Sequence, residues 1–434
     1  MNGPEADGAS TRALATIAGI IVAVEALIVL LILRQASVAP IGGDAAFYEV
    51  MANNLVHGHG LSTSTAAPFE PAVWRSPGYP AFLAGLKLLG LGAPLPVRIV
   101  QFVLLAATAV ITGKTAKRLA GPRVARIATV LVATTIPLVW AATWHMSENL
   151  SALTLSAAVY LVVRARADEA WSMRLLAAAG IAFAVSIYVR PTLLALAPVF
   201  AVAITLDARG GKGLARALPA ACLVSVCAIA IVPWTVRNFV HTHEVIPVET
   251  GRGPTLLVSA HQYAGDLGVT GTAGDYAALV KVTRDASRPY RAEGFSPRDQ
   301  VAADKAAAAA APWDRVTARG VAAQVPQRLL VMLGPIDTQP PNVSAARLLQ
   351  RTAWAQGLIC LFLALAGLVV APQVWRLWPV WIPPASVALM HLLMHVEPRY
   401  SIPHRPEFMV LAALGFAAAT DAVRRRAWAP APGA

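Results

Sequence analysis

Apolar runs about the length of a membrane-spanning helix recur along this chain of 434 residues, and they limit what it can fold into. Such a run needs roughly 20 residues, and inside lipid the backbone must satisfy its own hydrogen bonds, which a helix does. The candidates are 13–33, 96–113, 124–143, 148–163, 173–189, 191–206, 215–235, 352–371, 377–395 and 406–423. The segment 148–163 is short for a span, and 81–92 reads as loop or as a further buried segment. The expected fold class is therefore all-α and polytopic, with about ten transmembrane helices. Composition agrees: 57% of residues are hydrophobic and 14% charged, and mean hydropathy is +0.58, where a globular chain carries about a quarter charged residues.

The net charge of +13 does not point to nucleic acid, because the cations are clustered in short stretches between apolar runs. Lys114, Lys117, Arg118, Arg123 and Arg126 form one cluster. Arg164, Arg166 and Arg174 form a second, Arg209, Lys212 and Arg216 a third, and Arg424, Arg425 and Arg426 the last. If the spans alternate, all four clusters share one side, which the positive-inside tendency makes the cytoplasm. Both termini then lie inside. The first run is too long for a signal-peptide core and is expected to stay as an anchor. Cys222, Cys227 and Cys360 lie in apolar runs and read as small buried hydrophobes. The expected division is a cytoplasmic N-terminus 1–12, a bundle 13–235 with an outer loop 34–95, an outer segment 236–351, C-terminal spans 352–423 and a cytoplasmic tail 424–434.

The polar stretch 42–80 is the one around which these helices are organised. Asp44 just past the first span suits a general base in a partly dry cavity, and it equally suits the N-cap of a helix starting at Ala45. Glu49 lies further round that helix and points elsewhere. Arg75-Ser76-Pro77-Gly78-Tyr79-Pro80 is a rigid turn with a cation, able to bind phosphate or to anchor at the interface. Glu148 is a second carboxylate or a charge favoured at a helix start, and His145 reads as a polar interfacial residue. Arg190 precedes Pro191, so the chain can break there and leave Arg190 at the outer end of a tight helical hairpin. Arg237 and the pair Arg399 and Tyr400 also fall outside. Four arginines on the outer face (Arg75, Arg190, Arg237 and Arg399) run against the positive-inside tendency; a shared anionic headgroup explains them, as does snorkelling. In the outer segment, Ser296-Pro297 marks a helix start, the alanines at 306–311 suit that helix, and residues 313–333 suit a second, amphipathic one ended by Pro335, Pro340 and Pro341.

These motifs resemble those of the GT-C membrane glycosyltransferases. The likeness is carried by Asp44 with Tyr48 and Ala52, Gly58-His59-Gly60, the turn from Arg75 to Pro80, Gln101, Ser147-Glu148, Arg190-Pro191, Pro233-Trp234 with Arg237-Asn238, and Arg399-Tyr400 with Pro403. The pattern is similar to the bacterial relatives of dolichyl-phosphate-mannose protein mannosyltransferases and to the lipid A aminoarabinose transferase. The resemblance implies transfer of a sugar from a polyprenyl-phosphate donor to a lipid or glycan acceptor on the outer face of the inner membrane. It implies Asp44 as the base of an inverting displacement and Glu148 as a group orienting acceptor or sugar. It places Tyr48, Arg75, Tyr79, Arg190, Arg237, Arg399 and Tyr400 around the substrates, with Arg237 and Arg399 stabilising the leaving phosphate. The chain departs from the protein mannosyltransferases in having Ala45 after Asp44, which argues against a protein acceptor. No motif supports a divalent metal, although Asp44 and Glu148 together offer two carboxylates for one. A transporter or flippase of a lipid-linked or anionic solute is the competing reading, against which stand the absence of repeated halves and the placement of ionisable residues at span ends. A non-catalytic assembly partner in a cell-envelope complex is a third.

Overall fold

The computed structural model describes residues 4–35, 44–166, 171–207, 214–268, 295–334, 344–371, 374–395 and 397–427, with isolated positions between 278 and 288. The described residues are helical apart from connections and two isolated bridges, Ser62 with Pro71 and Arg166 with Trp171. The first run becomes α1 (Pro4–Gln35), and the polar stretch contributes α2 (Asp44–Val56) and α3 (Gly78–Leu88). Then come α4 (Pro94–Ala133), the short α5 (Ile136–Ala141), α6 (Glu148–Ala165) and α7 (Met173–Val189). A three-ten turn at Pro191–Ala195 leads into α8 (Leu196–Asp207), followed by α9 (Leu214–Thr242). The segment 236–351 holds α10 (Arg252–Tyr263), α11 (Pro297–Ala309) and α12 (Ala318–Leu333). The chain closes with α13 (Ser344–Val370), α14 (Trp378–Leu393) and α15 (Arg405–Ala427).

Among the described residues, five helices are long and apolar enough to cross a membrane: 10–31, 94–133, 215–242, 350–370 and 398–423. Met173–Val189 and Pro191–Asp207 are apolar but shorter. The structure redraws several expected boundaries. Residues 114–118, expected in a loop, continue α4, which breaks only at Gly121 (φ 86°, ψ 177°), a conformation glycine reaches easily, just ahead of Pro122. The expected span 124–143 is divided between the end of α4 and α5, and the stretch 81–92 belongs largely to α3. At Arg190 (φ −146°, ψ 99°) the chain leaves helical geometry, as the following proline requires. Cys227 and Cys360 are buried and Cys222 half-buried, all with free thiols.

In the bundle α4 packs against α1, α6 and α15, while α15 packs against α13, and α7 against α6 and α9. Small residues let these helices approach. A Cβ on Gly415 of α15 would stand 1.9 Å from the carbonyl oxygen of Leu363 in α13, so that face admits no side chain. Gly415→Leu is expected to force α13 and α15 apart at a cost of about 1–3 kcal/mol, the range of an overpacked core. A lower midpoint of denaturant unfolding in detergent would register it, and an unchanged midpoint would show that the interface yields.

Basic residues gather at the end of the bundle away from Glu148. Arg166, just past the end of α6, pairs with Asp207 at 2.6 Å, Arg216 donates to the carbonyls of Thr205 and Leu206, and Arg123 pairs with Asp421. Arg209 and Lys212 lie outside the described residues, as do the side chains of Arg424, Arg425 and Arg426. Pro335, Pro340 and Pro341 lie outside them too.

In the outer segment, Ser296 and Asp299 form a reciprocal cap at the start of α11, as Ser296-Pro297 leads one to expect. A cap by Thr317, which accepts from the Gly320 N–H at 3.1 Å, divides the stretch 313–333, so its helix begins at Ala318. Arg328 of α12 is wholly buried, stacked 3.8 Å from the ring centroid of Tyr263 and donating to the carbonyl of Met394 at 2.6 Å. That side chain fixes α12 to the chain leading into α15.

Candidate active site

Asp44 opens α2. Its Oδ1 accepts from Arg75 Nη2 at 2.5 Å and its Oδ2 from Arg399 Nη1 at 2.8 Å. Both oxygens thus face guanidinium groups, and the capping alternative gives way to an ion triad that joins residues 355 positions apart in sequence. Burial pushes the Asp44 carboxyl up, but the charges of Arg75 and Arg399 and the hydrogen bond from Arg399 outweigh it and hold it down at about 2. Asp44 is therefore ionised at any physiological pH and strongly held.

Arg399 is itself flanked. Its Nε donates to Glu397 Oε2 at 2.5 Å, and Glu397 Oε1 lies 3.1 Å from His395 Nε2. Burial raises the Glu397 carboxyl, while Arg399 and His395 take it well below the usual carboxylate range. Arg75 lies against two rings, 4.5 Å from the Trp74 centroid and 5.7 Å from that of Phe47, and its Nε is buried without a hydrogen-bond partner among the described residues.

A second ion pair sits beside the first. Glu148, 2% exposed at the first position of α6, lies 3.1 Å from Arg190 Nη1, and its Oε2 has no hydrogen-bond partner among the described residues. Tyr400 stands between the pairs, its ring centroid 5.6 Å from the Arg190 guanidinium carbon and 5.5 Å from that of Arg399. Tyr48, one turn along from Asp44, feels the charges of Asp44, Arg75, Glu148 and Arg190; burial, with the two carboxylates adding, pushes its phenol up to about 12. It packs edge-on against Tyr79, with ring centroids 5.1 Å apart.

The turn from Arg75 to Pro80 is placed by close backbone packing. A Cβ on Gly78 would lie 2.6 Å from backbone atoms of Tyr188 and Val189, so only glycine lets α3 begin against the end of α7 beside Arg190. Tyr79 is fixed from α4: Gln101 Nε2 donates to Tyr79 Oη at 2.8 Å and to the Met146 carbonyl at 2.9 Å. Three helices thus bring the turn, Glu148 and Arg190 together.

Arg237 is set apart from this group. It donates to the Ala72 carbonyl at 2.8 Å and to Asn238 Oδ1 at 2.9 Å, and it stacks 4.7 Å from the Trp234 centroid. The expected cluster of four outer arginines is therefore three with carboxylates, Arg75, Arg190 and Arg399, and one bracing the backbone ahead of Arg75. His145, expected at an interface, is buried and paired with Glu49, which Lys87 also meets at 2.8 Å. Glu49 faces away from Asp44, as its helical position indicates. Among the described residues no group of three or more His, Cys, Asp or Glu side chains gathers that could hold a metal ion.

Sequence reasoning passed over Glu397 and His395, although Glu397 stands two residues before Arg399. It also passed over the role of Glu249, which lies in a turn-rich stretch where a carboxylate carries no helical or spacing signal.

This arrangement of helices matches solved glycosyltransferases. Residues 75–236, less than half of the chain, match the family described as dolichyl-phosphate-mannose-protein mannosyltransferase. The archaeal oligosaccharyltransferase AglB from Archaeoglobus fulgidus, solved with an inhibitory peptide and a dolichol-phosphate, superposes with a TM-score of 0.55 at 12% identity, over 96% of this chain and 52% of that one. The apo oligosaccharyltransferase of Archaeoglobus fulgidus gives 0.54 at 12% identity, over 97% and 52%. ArnT from Cupriavidus metallidurans, in its apo state, gives a TM-score of 0.38 at 17% identity, over 95% and 81%. No curated protein matches the sequence. The chain spans about half the length of the oligosaccharyltransferases it matches. It is thus a polytopic helical membrane protein whose fold resembles that of the Archaeoglobus fulgidus oligosaccharyltransferases. Residues 75–236 are similar in sequence to the dolichyl-phosphate-mannose-protein mannosyltransferases.

Proposed function

We propose that the protein transfers a sugar from a polyprenyl-phosphate donor to the hydroxyl of a lipid or glycan acceptor, on the outer face of the inner membrane, with Asp44 as base. The observation that carries this reading is the Asp44 carboxylate held between Arg75 and Arg399. A base and two phosphate-binding groups in one contact are what displacement from a phosphate carrier needs.

Balanced as a reaction, the acceptor oxygen attacks the anomeric carbon while its proton passes to Asp44. The bond from the anomeric carbon to the phosphate oxygen breaks, and its electron pair stays on the phosphate, which gains a second negative charge. Guanidinium groups answer that developing charge. In the structure they are committed to Asp44, which makes Asp44 a weak base. A donor phosphate draws them away and returns basicity to the carboxylate, so the base is armed only when the leaving group is in place. Glu148, with one oxygen unbonded, is positioned to accept from a sugar or acceptor hydroxyl. The dolichol-phosphate in the AglB complex supports a lipid-phosphate ligand for this fold.

The test is transfer itself. Purified protein in detergent is incubated with a panel of radiolabelled polyprenyl-phosphate sugars and an extract of membrane lipids and glycans. Label moving from one carrier to an acceptor names the donor. Carrier binding without transfer, across a panel that covers the common sugars, would turn the reading toward transport.

A further inference from the structure

Glu249 is a carboxylate close to the triad that the displacement does not use. It lies in the turn after α9, and that turn is laid alongside the segment leading to Arg75. The Thr250 N–H donates to the Val73 carbonyl at 2.9 Å, and Trp234 Nε1 and Asn238 Nδ2 hold the Val248 carbonyl at 2.9 and 3.0 Å. From α11, Gln300 accepts from the Val73 N–H at 2.8 Å and donates to the Pro71 carbonyl at 3.1 Å. Ser76, the residue after Arg75, lies beside the Glu249 carboxylate and lowers its pKa, while its hydroxyl donates to the Val189 carbonyl at 3.4 Å. Arg75 and Asp44 are the charged groups within its electrostatic reach.

Read as a row, Glu249, Arg75, Asp44, Arg399 and Glu397 alternate in sign, with three carboxylates to two guanidiniums. Glu148 and Arg190 cancel one another. With every group ionised the row is one charge negative, an unfavourable host for an anion. With one carboxylate protonated it is neutral. Asp44 and Glu397 are held ionised by arginines in direct contact, so Glu249, which has no arginine within ion-pair distance among the described residues, is the member that can take the proton.

We propose that Glu249 is a positioning residue for the donor phosphate: it stands by Arg75, and the proton it exchanges with solvent sets whether Arg75 is free to turn from Asp44 to an incoming phosphodiester. The inference rests on the donor reading above. Burial pushes the Glu249 carboxyl up to about 7, against the pull of Arg75 and of Ser76 and with Asp44 adding to the rise. Below that pH Glu249 is neutral and the row accepts an anion. Above it, Glu249 is ionised, competes for Arg75 and repels the phosphate. The prenyl phosphodiester keeps a single negative charge throughout, so the change belongs to the protein.

The other groups facing this region have their own partners or do not titrate there. Arg75 is stabilised as a cation, while Tyr48 stays protonated. From α9, Arg237 is spent on Ala72 and Asn238; beyond the turn, Asp304 of α11 accepts from the Gly253 N–H beside Arg252. On the far side of Arg399, His395 meets Glu397 at 3.1 Å. Glu249→Gln separates Glu249 from every other group.

The probe is methyl farnesyl phosphate, a prenyl phosphodiester without a sugar, titrated calorimetrically into the full-length protein in detergent near pH 6 and near pH 8. Wild type is expected to bind about tenfold more weakly at the higher pH, one pKa unit being tenfold. Glu249→Gln should bind at the tighter level at both. A slope that persists in Glu249→Gln belongs to another group and overturns the proposal. A measurement on wild type alone guards against a variant that does not fold. Near pH 7.5, binding in two buffers of different ionisation enthalpy should reveal proton uptake, and none would equally overturn the proposal. If the probe binds at neither pH, the donor reading fails with it; if it binds without slope or uptake, only the role of Glu249 fails.

Discussion

Asp44→Asn is expected to lower transfer by about 10²- to 10⁴-fold, the contribution of a positioned general base, while the protein remains folded and membrane-inserted. Asparagine keeps the shape of the side chain and can still meet one guanidinium through its carbonyl oxygen. It cannot take the acceptor proton. The substitution also removes the negative charge that holds Arg75 and Arg399 at 2.5 and 2.8 Å, so both become more available to a phosphate. Donor binding should therefore tighten as transfer disappears. The two effects are read separately, by donor titration and by label transfer on the same detergent preparation. Near-normal transfer would remove Asp44 from the mechanism. A parallel loss of donor binding would mean that Asp44 holds the site together and does no chemistry.

The individual residues of this site were legible because each has a local reason to be noticed. Asp44 and Arg75 are charges in a polar stretch beside an apolar run, Arg190 is fixed by the proline after it, and Glu148 stands at the start of a helix. Their pairings were not legible. Asp44 meets Arg399 across 355 positions, and nothing in local periodicity marks such a contact. The same limit explains Arg237, which looked like a fourth phosphate ligand on position alone. The carbonyl of Ala72, brought to it by the fold, takes it instead. It also explains Glu249, whose neighbours come from α2 and the turn at Arg75.

Helix positions followed the apolar runs, since burial of apolar surface and backbone satisfaction in lipid are properties of the segment itself. Boundaries followed less well where the helix continues beyond its apolar part. Lys114, Lys117 and Arg118 extend α4 because nothing there breaks a helix until Gly121 and Pro122. His145 shows the converse: a polar residue near a helix end is buried because Glu49 supplies a partner from α2. A charge pattern tells where a polar group can reach water, and only the partner tells whether it needs to.

Arg399→Ala should have the second large effect, and it bears on the donor. The guanidinium divides its donors between Glu397 and Asp44, leaving Nη2 without a hydrogen bond among the described residues. One charge-assisted contact to phosphate is worth about 1.5–3 kcal/mol, which corresponds to roughly 10- to 150-fold in KM for the donor. Loss of a group that answers charge in the transition state lowers kcat by a further factor of about 10² to 10³. KM for the acceptor should change little, because Arg399 meets the acceptor only through Asp44. Arg399→Lys keeps the charge but not the fork that spans Glu397 and Asp44, so it should restore donor KM in part and leave kcat low. Size-exclusion profiles in detergent report whether each variant is folded. An alanine variant that is monodisperse, with donor KM unchanged and acceptor KM raised, would move Arg399 from the leaving phosphate to the acceptor side. The phosphate would then have to be met by Arg75 and Arg190, whose carboxylate partners, Asp44 and Glu148, sit on either side of Tyr48 and Tyr400.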